Sequence, residues 1–346
     1  SEVLAMGFLR PNNAVGLDID TAEIRAVELS GKVQSPKLVR FGRIPLPGGA
    51  VSEGLIANPG MVEDALRQLW SDTGFSSREV ILGVSNQGVI VRFAAFPKVA
   101  DKKMDKLIKF QAQEYIPYPI DSVVLDYMIV GEAKGEDEGD LLEVLLVAAK
   151  RDMLNSFIEV ISAAGLQVKD IDVSSLALQQ VVPLFDRQDT IAIINIANQM
   201  SSILMTENGR PRFARITPTG LEAAAKTFNC SLEQVVTITA AGQPAWQQQA
   251  ISSWSAALAE EISSSLSYYQ NQQMGGAIKK IFIAGRGARI DGLAERLQEN
   301  LSLTVAAIDP LEGITVTNKN IGITDAALDF TLSIALARRG LGGIIL

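Results

Sequence analysis

The chain has 346 residues, in which 31 lysines and arginines stand against 39 acidic residues, so its formal net charge is −8. At roughly 150 residues per domain, this length predicts two or three domains. A net acidic surface repels phosphate backbones and anionic lipid headgroups, which disfavours a nucleic-acid partner and direct electrostatic docking on a membrane. The chain contains no histidine and one cysteine, so histidine-dependent nucleophiles, histidine-containing metal sites and an internal disulfide are excluded.

No apolar run reaches the roughly 18 residues that a transmembrane helix requires. The nearest candidate is the stretch 331–346, and Arg338 and Arg339 interrupt it. The first residues of the chain lack the basic and apolar regions of a signal peptide. We therefore expect a cytoplasmic protein.

The first 80 residues predict strands followed by a helix. The apolar pattern of 15–29 indicates a strand, a tight turn and a second strand. Asn58 and Pro59 are typical of an N-cap and a first helical position, and Gly74 is typical of a helix end.

Residues 80–168 predict a small α+β unit inserted in a larger fold. Two strands, a helix that Pro117 and Pro119 stop, a hairpin and a second helix follow one another in this range. The acidic connection of the hairpin, 132–140, is more typical of a solvated loop than of a metal site.

The chain contains an internal repeat. Leu17-Asp18-Ile19-Asp20 recurs in type and spacing as Ile194-Asn195-Ile196-Ala197, 177 residues later. Each copy is followed by a glycine-containing turn and a further strand. Two units of this kind predict two duplicated α/β lobes with a cleft between them.

A third glycine-rich turn, 284–290, follows a predicted strand and opens a helix. The amides of such turns and a helix N-terminus can hold a phosphate, and a nearby Asp can hold hydrated Mg²⁺. Each turn alone is weak evidence, because glycine turns are common after strands. Three in this order predict an anion or nucleotide site in the cleft.

Three segments in order carry a resemblance to known proteins: GLDIDTAEIRAVEL at 16–29, INIANQMSSIL at 194–204 and IKKIFIAGRGARIDGLAERL at 278–297. They resemble the actin-like superfamily of actin, the 70-kDa chaperones and FtsA, and within it most closely the PilM family of type IV pilus assembly. The resemblance covers nearly the whole chain. It implies an actin-like α/β fold of duplicated ribonuclease H-like lobes, with an inserted subdomain 1C of the FtsA type. The first lobe is then subdomain 1A, over 1–79, 169–189 and the C-terminal helix and tail at 323–346, with the inserted 1C over 80–168. The second lobe is subdomain 2A, over 190–220 and 276–322, with a small helical 2B over 221–275.

The resemblance also implies a nucleotide site in the cleft, and this chain departs from the family pattern there. The first phosphate loop of the family reads Asp-x-Gly with a lysine seven positions after the Asp, whereas this chain has Asp18-Ile19-Asp20 and Arg25. A second carboxylate at 4 Å from a phosphate would repel it by about 4 kcal/mol at an effective dielectric constant of about 20. A Mg²⁺ ion bridging Asp18 and Asp20 would offset that repulsion.

Three more departures follow. Asn195-Ile196-Ala197 replaces a second Asp-x-Gly, Val236 and Thr239 stand where a helix usually offers Glu and Lys, and Arg286 replaces a glycine. Together they predict a weakened or lost ATP site, with ATP and Mg²⁺ as the candidate ligands and without meaningful hydrolysis. If the site is retained, its residues are Asp18, Asp20, Thr21, Ala22, Arg25, Asn195, Ala197, Asn198, Gln199, Gly285, Arg286 and Gly287, with no catalytic residue assigned.

The function that the resemblance implies is that of a cytoplasmic scaffold at the inner face of the cytoplasmic membrane. PilM proteins hold the N-terminal cytoplasmic peptide of the membrane protein PilN in a groove between 1A and 1C, next to the assembly and retraction motor proteins. The membrane is then reached only through this partner. The residues expected to line the groove are Ile90, Arg92, Phe110, Glu114, Tyr115, Ile116 and Pro117.

Two alternatives stay open from the sequence. One is a nucleotide switch, in which ATP closes the cleft and changes the affinity for a partner. The other is a filament-forming homo-oligomer such as FtsA. The tail 341–346 is too short and too weakly charged for the amphipathic membrane helix that ends FtsA.

Overall fold

A computed structural model describes residues 13–134, 140–237, 245–271 and 276–342. Within these ranges the chain forms two five-stranded sheets, a three-stranded sheet and a two-stranded ribbon. The strands are β1 (Asn13–Ile19), β2 (Glu23–Lys32), β3 (Ser35–Pro45), β4 (Val51–Ser52), β5 (Leu55–Ile56), β6 (Glu79–Val84), β7 (Val89–Pro97), β8 (Val123–Lys134), β9 (Asp140–Lys150), β10 (Gln167–Val173), β11 (Ile191–Ile196), β12 (Ser201–Glu207), β13 (Arg210–Thr217), β14 (Lys280–Ala284) and β15 (Thr304–Ala307). The α-helices are α1 (Pro59–Thr73), α2 (Asp101–Gln111), α3 (Arg151–Ala163), α4 (Ser174–Ala177), α5 (Leu221–Phe228), α6 (Leu232–Thr237), α7 (Ala245–Asn271), α8 (Leu293–Leu301) and α9 (Thr331–Gly340).

The first lobe is built on the sheet β10-β6-β1-β2-β3. Its central strand β1 runs antiparallel to β2 and parallel to β6, and its residues from Ala14 to Ile19 are all buried. The predicted helix is α1, in which the Asn58 side chain accepts a hydrogen bond from the Met61 amide and Gly74 closes the helix at φ 66°. The helices α1 and α9 pack into the same core as the sheet, which accounts for the continuous burial of β1.

The second lobe repeats this arrangement. Its sheet has the order β13-β12-β11-β14-β15, which matches β3-β2-β1-β6-β10 strand for strand. In the first sheet Asp18 lies opposite Arg25, and in the second Asn195 lies opposite Ser202. The predicted duplication is therefore confirmed at the level of strand order and register. A second core forms where α5, α7 and α8 pack on this sheet, with Trp254 and Tyr269 buried in it.

The three-stranded sheet β7-β9-β8 forms the inserted unit, and it is narrower than the predicted 80–168. Strand β6 pairs with β1 and β10, so it belongs to the first lobe. Helix α3 also lies outside the unit, because its apolar face, including Phe157 and Ile161, joins the core of the first lobe. The unit consists of the residues from Val89 to Lys150.

The chain returns to the first lobe earlier than the predicted residue 323. The Leu38 amide donates to the Thr315 carbonyl at 3.0 Å, and the Thr315 amide donates to the Pro36 carbonyl at 2.9 Å, so this segment extends the first sheet. The helical stretch Asn318–Gly340, a 3₁₀ segment followed by α9, is long and apolar enough by composition to cross a membrane. Its most apolar 18-residue window is 61% buried inside the protein, where it supports the first sheet.

Candidate functional site

The three predicted loops meet in the cleft between the lobes. The ends of β1, β11 and β14 face one another there, and the cavity that they enclose has a volume of about 70 Å³. Ligand pockets usually have volumes of about 300–1,000 Å³, so this cleft is nearly filled by the protein itself. The predicted residues that line it are Asp18, Asp20, Thr21, Arg25, Asn195, Ala197, Gln199, Gly285 and Arg286.

Arg25 lies at the centre of the cleft and pairs with three carboxylates. Its Nη2 atom is 2.9 Å from Asp18 and 2.8 Å from Asp20, and its Nη1 atom is 3.1 Å from Glu23. The guanidinium is 5% exposed, so these ion pairs are screened little by water. Since β1 and β2 place Asp18 directly opposite Arg25, the strand register fixes this contact.

The burial of this cluster shifts its protonation equilibria. Burial raises the pKa of Asp18 to about 6, against the lowering effect of the neighbouring Arg25. Burial by itself lowers the pKa of Arg25, but Asp18, Asp20 and Glu23 together raise it above its usual value. Arg25 therefore stays charged, and the cluster carries more carboxylates than this one guanidinium balances.

A second buried arginine, Arg286, occupies the third loop. The loop turns at Gly285, which has φ 76°, and a Cβ atom there would lie 2.3 Å from the Asn195 side-chain oxygen. Arg286 donates a hydrogen bond to Glu233 of α6 and lies 3.9 Å from Glu23. The hydrogen bond from Arg286 lowers the pKa of Glu233.

Polar contacts cross the cleft and join the two lobes. The Asn198 side chain donates to Asp20 at 2.9 Å, and the Glu53 amide donates to the Gln199 side chain at 2.8 Å. Arg289 of the second lobe donates to Asp329 of the first at 2.8 Å. The lobes are thus held together by the protein's own charged and amide groups.

The other predicted cleft residues lie beside the cavity. Ala22 accepts a hydrogen bond from the Leu46 amide through its carbonyl, and Gly287 packs so closely on Ile196 that a Cβ atom would lie 2.2 Å from its Cγ2. Val236 is buried in the second core, and Thr239 lies outside the described residues. Sequence reasoning missed Glu23, Glu233 and Asp329 as cleft residues. Glu23 lies within the first of the segments that carry the resemblance, but its contacts with Arg25 and Arg286 are recognised only in three dimensions, as are those of Glu233 and Asp329.

The residues of the cleft do not fit a magnesium nucleotide in this arrangement. The guanidinium of Arg25 takes the position between Asp18 and Asp20 that was predicted for Mg²⁺. Among the residues that the structure describes, no group of three or more Asp, Glu or Cys side chains is arranged to hold a metal ion. A triphosphate would also need more space than the cavity offers.

A second cavity, of about 320 Å³, lies between the first lobe and the inserted sheet. The edge strand β10 forms one wall and the edge strand β8, with β9 beside it, forms the other. Arg339 pairs with Asp170 at 3.2 Å and Asp172 at 3.1 Å in the wall of the first lobe, and burial raises the pKa of Asp172. We call this cavity the β8–β10 groove; its lining residues are Val84, Val124, Asp126, Tyr127, Met128, Leu145, Val147, Ala149, Leu154, Asp170, Ile171, Asp172, Val173, Leu176 and Arg339.

The residues predicted to line a partner groove do not line the β8–β10 groove. Side chains alternate across a strand, and Phe96 of β7 and Leu146 of β9 face α2. Leu145 and Ala149 of β9 face the first lobe instead. Most of the predicted residues lie on the far side of the sheet, the side on which α2 packs: Ile90, Phe110, Glu114, Tyr115, Ile116 and Pro117. Arg92 is exposed on β7 and lines a separate cavity that β7 forms with Phe213 and Tyr268 of the second lobe.

Two duplicated lobes around a cleft, with matched strand order, define the class of actin-like proteins. Solved structures of this class resemble the chain. EutJ from Carboxydothermus hydrogenoformans has a TM-score of 0.57 at 12% identity, covering 95% of this chain and 90% of that one. MreB5 of Spiroplasma citri bound to AMPPNP has a TM-score of 0.50 at 10% identity, covering 93% and 94%. These likenesses confirm the predicted fold class.

The family is shown by the sequence. The family model described as Type IV pilus assembly protein PilM matches residues 16–341, so the chain belongs to this family. The structure of a PilM–PilN type IV pilus biogenesis complex has a TM-score of 0.82 to this protein at 25% identity, covering 95% of this chain and 98% of that one. The cell division protein FtsA of Bacillus subtilis is 20% identical over 242 residues, which are 63% of this chain and 54% of that protein's length.

Proposed function

We propose that this protein is a scaffold of type IV pilus assembly that binds the N-terminal cytoplasmic peptide of a PilN-like membrane protein in the β8–β10 groove. The single observation that carries the proposal is the groove itself, in which the free edges of two strands flank an apolar floor. Membership of the PilM family and similarity to a PilM–PilN complex support it.

The groove suits an extended peptide. An extended chain can add to a free strand edge through its backbone amides and carbonyls, while alternate side chains enter pockets beside the edge. Met128, Val147 and Ile171 offer apolar contacts on both walls. The groove has three acids, Asp126, Asp170 and Asp172, against one arginine, Arg339, which pairs with two of them. This excess of negative charge favours a peptide that combines apolar and basic side chains.

The proposed role of the interlobe cleft is structural. Arg25 and Arg286 pair with carboxylates that a bound cation would otherwise contact, and polar contacts across the cleft hold the lobes closed without nucleotide. The protein then acts by holding partners in place and not by hydrolysing ATP. The same proposal links the protein to the pilus motor proteins. It also places the protein at the inner face of the membrane, which the protein reaches through the bound peptide.

We keep the division into subdomains as part of this proposal, with corrected bounds. Subdomain 1C is placed at 89–150, and the return to 1A at about residue 315, for the pairing reasons given above. The peptide groove then lies between 1A and 1C, and the helical subdomain 2B borders the cleft through Glu233.

The test is calorimetric titration with a synthetic N-terminal peptide of a PilN-like partner. Met128→Lys places a charge in the apolar part of the groove, and we expect it to weaken binding at least about tenfold, the effect of about 1.4 kcal/mol. Phe110→Ala is the matched control, because Phe110 lies on the other side of the same sheet and should leave the affinity unchanged. Loss of binding in the Phe110 variant alone would show that the groove is wrongly placed.

A further inference from the structure

The outer face of α2 is a positively charged stripe on an acidic protein. Met104 and Ile108 point into the core of the inserted unit. The opposite face carries four exposed lysines. Residues i, i+4 and i+7 of a helix share one face, so three of these lysines form a row and the fourth stands beside it. We call these residues, together with Phe110, the α2 stripe; its lysines are Lys102, Lys103, Lys106 and Lys109.

The lysines of the α2 stripe take part in no ion pair with a carboxylate whose side chain the structure describes. That set includes Asp105 and Glu114 and does not include Asp101. Asp105, which borders the stripe, accepts a hydrogen bond from the Tyr127 hydroxyl. Glu114 is exposed at the end of the helix and leaves the patch positive. A chain with a net charge of −8 thus presents a local cationic surface.

Phe110 projects from the C-terminal end of this surface. Its side chain is 79% exposed, although it neighbours Lys106 and Lys109 on the helix. A single exposed aromatic residue is not unusual. Interfacial helices place lysines at the lipid headgroups and an apolar side chain at the acyl boundary. The apolar face of α2 is buried in the inserted unit, so Phe110 supplies the exposed apolar group beside the lysines.

We infer that the α2 stripe docks on an anionic lipid surface, with the lysines at the headgroup phosphates and Phe110 inserted at the headgroup boundary. A lipid surface is favoured over an acidic protein because the lysines and Phe110 are all exposed on one side of α2, so they can meet a layer of phosphates together. A fluid layer of phosphates needs no complementary pocket. The inference does not depend on the peptide groove, which lies on the opposite face of the same sheet.

Local charge outweighs net charge here because of screening. At physiological ionic strength, charges more than about 8 Å apart are largely screened. The acidic groups elsewhere on the molecule therefore do not cancel the attraction at the α2 stripe. The net charge of the chain disfavours docking on an anionic membrane. The four lysines of α2 favour such docking at the α2 stripe.

The test is sedimentation of the purified protein with vesicles of phosphatidylcholine alone or mixed with phosphatidylglycerol. We expect binding to the mixed vesicles only, and loss of binding as salt rises from about 0.1 M to about 1 M, which shortens the Debye length from about 10 Å to about 3 Å. Each juxtamembrane lysine contributes about a fivefold factor, so Lys106→Gln with Lys109→Gln should lower the partition coefficient roughly 10- to 30-fold. Phe110→Ser should lower it further.

The matched control is Lys32→Gln with Lys37→Gln, which makes the same charge change at two exposed lysines of the β2–β3 hairpin. This control should keep vesicle binding, and the α2 variants should keep peptide binding and their unfolding midpoint. Equal losses in both lysine pairs would overturn the inference, because net charge would then govern binding. Binding that is the same with and without phosphatidylglycerol would overturn it as well.

Discussion

Arg25 is the residue on which the closed state of the cleft depends most directly. One planar guanidinium contacts three carboxylates, which a lysine ammonium could not do with the same geometry. Removing it would leave Asp18, Asp20 and Glu23 buried with unpaired charge.

We therefore expect Arg25→Ala to lower the free energy of unfolding by about 3–5 kcal/mol, because breaking a buried ion pair leaves an uncompensated charge. Urea unfolding of the purified variant measures this. The control is Lys169→Ala, which removes an exposed pair with Glu79 at 3.6 Å and should change stability by less than about 1 kcal/mol. Similar effects of the two variants would mean that the cleft cluster is solvated.

Asp18 gives the cleft a pH dependence whose sign can be stated. Its pKa rises from 3.8 to about 6 on folding, so the folded state binds the proton more tightly than the unfolded state. The contribution of this group to the free energy of unfolding is therefore fully present below about pH 4 and is lost as the pH rises to about 6.

We expect the difference in unfolding free energy between the native protein and Asp18→Asn to change with pH. The difference, native minus variant, should fall by up to about 3 kcal/mol between pH 4 and pH 7, because only the native protein loses the proton. Paired urea titrations at several pH values provide the measurement. A difference that does not vary with pH would show that Asp18 is not desolvated.

At the scale of elements, helix α9 lies directly against β1 at Gly16. A Cβ atom at Gly16 would lie 2.0 Å from the Ser333 carbonyl oxygen and 2.6 Å from the Ala337 nitrogen. Both are backbone atoms, so no side chain can rotate away. The glycine permits the helix to lie directly on the strand that carries Asp18.

We expect Gly16→Ala to lower the free energy of unfolding by about 3 kcal/mol or more, at or above the upper end of ordinary overpacking, because α9 has to move. Gly48→Ala is the matched control, since a Cβ atom there meets no atom within 4 Å, and its effect should stay within about 0.5 kcal/mol. Thermal unfolding of the two variants compares them. A mild effect at Gly16 would mean that the helix does not lie this close to the strand.

At the scale of the whole molecule, the arrangement of the lobes decides whether nucleotide matters. The cross-lobe contacts of Asn198, Gln199 and Arg289 hold the cleft shut around a cavity of about 70 Å³. A ligand that binds both lobe arrangements equally cannot shift the equilibrium between them. A nucleotide switch would need an open form that these contacts oppose.

We expect millimolar Mg-ATP to give no binding heat and to leave the peptide affinity unchanged, because Arg25 occupies the position between Asp18 and Asp20 and the cavity has only about 70 Å³. Calorimetry with peptide, in the presence and absence of Mg-ATP, makes the comparison. Micromolar ATP binding that alters peptide affinity would establish a switch instead. Nucleotide-dependent sedimentation of long assemblies would support a filament-forming protein.

Local patterns in the sequence were sufficient for several elements, such as α1, and for the duplication, but not for short elements such as the β4–β5 ribbon and α4. The caps of α1 at Asn58 and Gly74 and the matched registers at Asp18 and Asn195 depend on residues close in the chain, so they can be recognised without the fold. The loops of the cleft followed from the repeat, because equivalent strand ends of duplicated lobes meet at one cleft. Asp329 pairs with Arg289 of the third loop but lies 40 residues from it in the chain, so no local sequence pattern identified it.

What the sequence by itself determined is the family, the two lobes and the position of the cleft, since each rests on short-range order repeated along the chain. Only the tertiary structure decided which face of the inserted sheet meets the first lobe. Helix α2 packs on the face of the inserted sheet that carries Phe96 and Leu146, because its own apolar side chains require an apolar surface. The side chains that alternate with these along each strand point to the other face, and they line the groove. The tertiary structure likewise decided that Arg25 fills the predicted ion site, because a side chain's partners depend on what surrounds it in space.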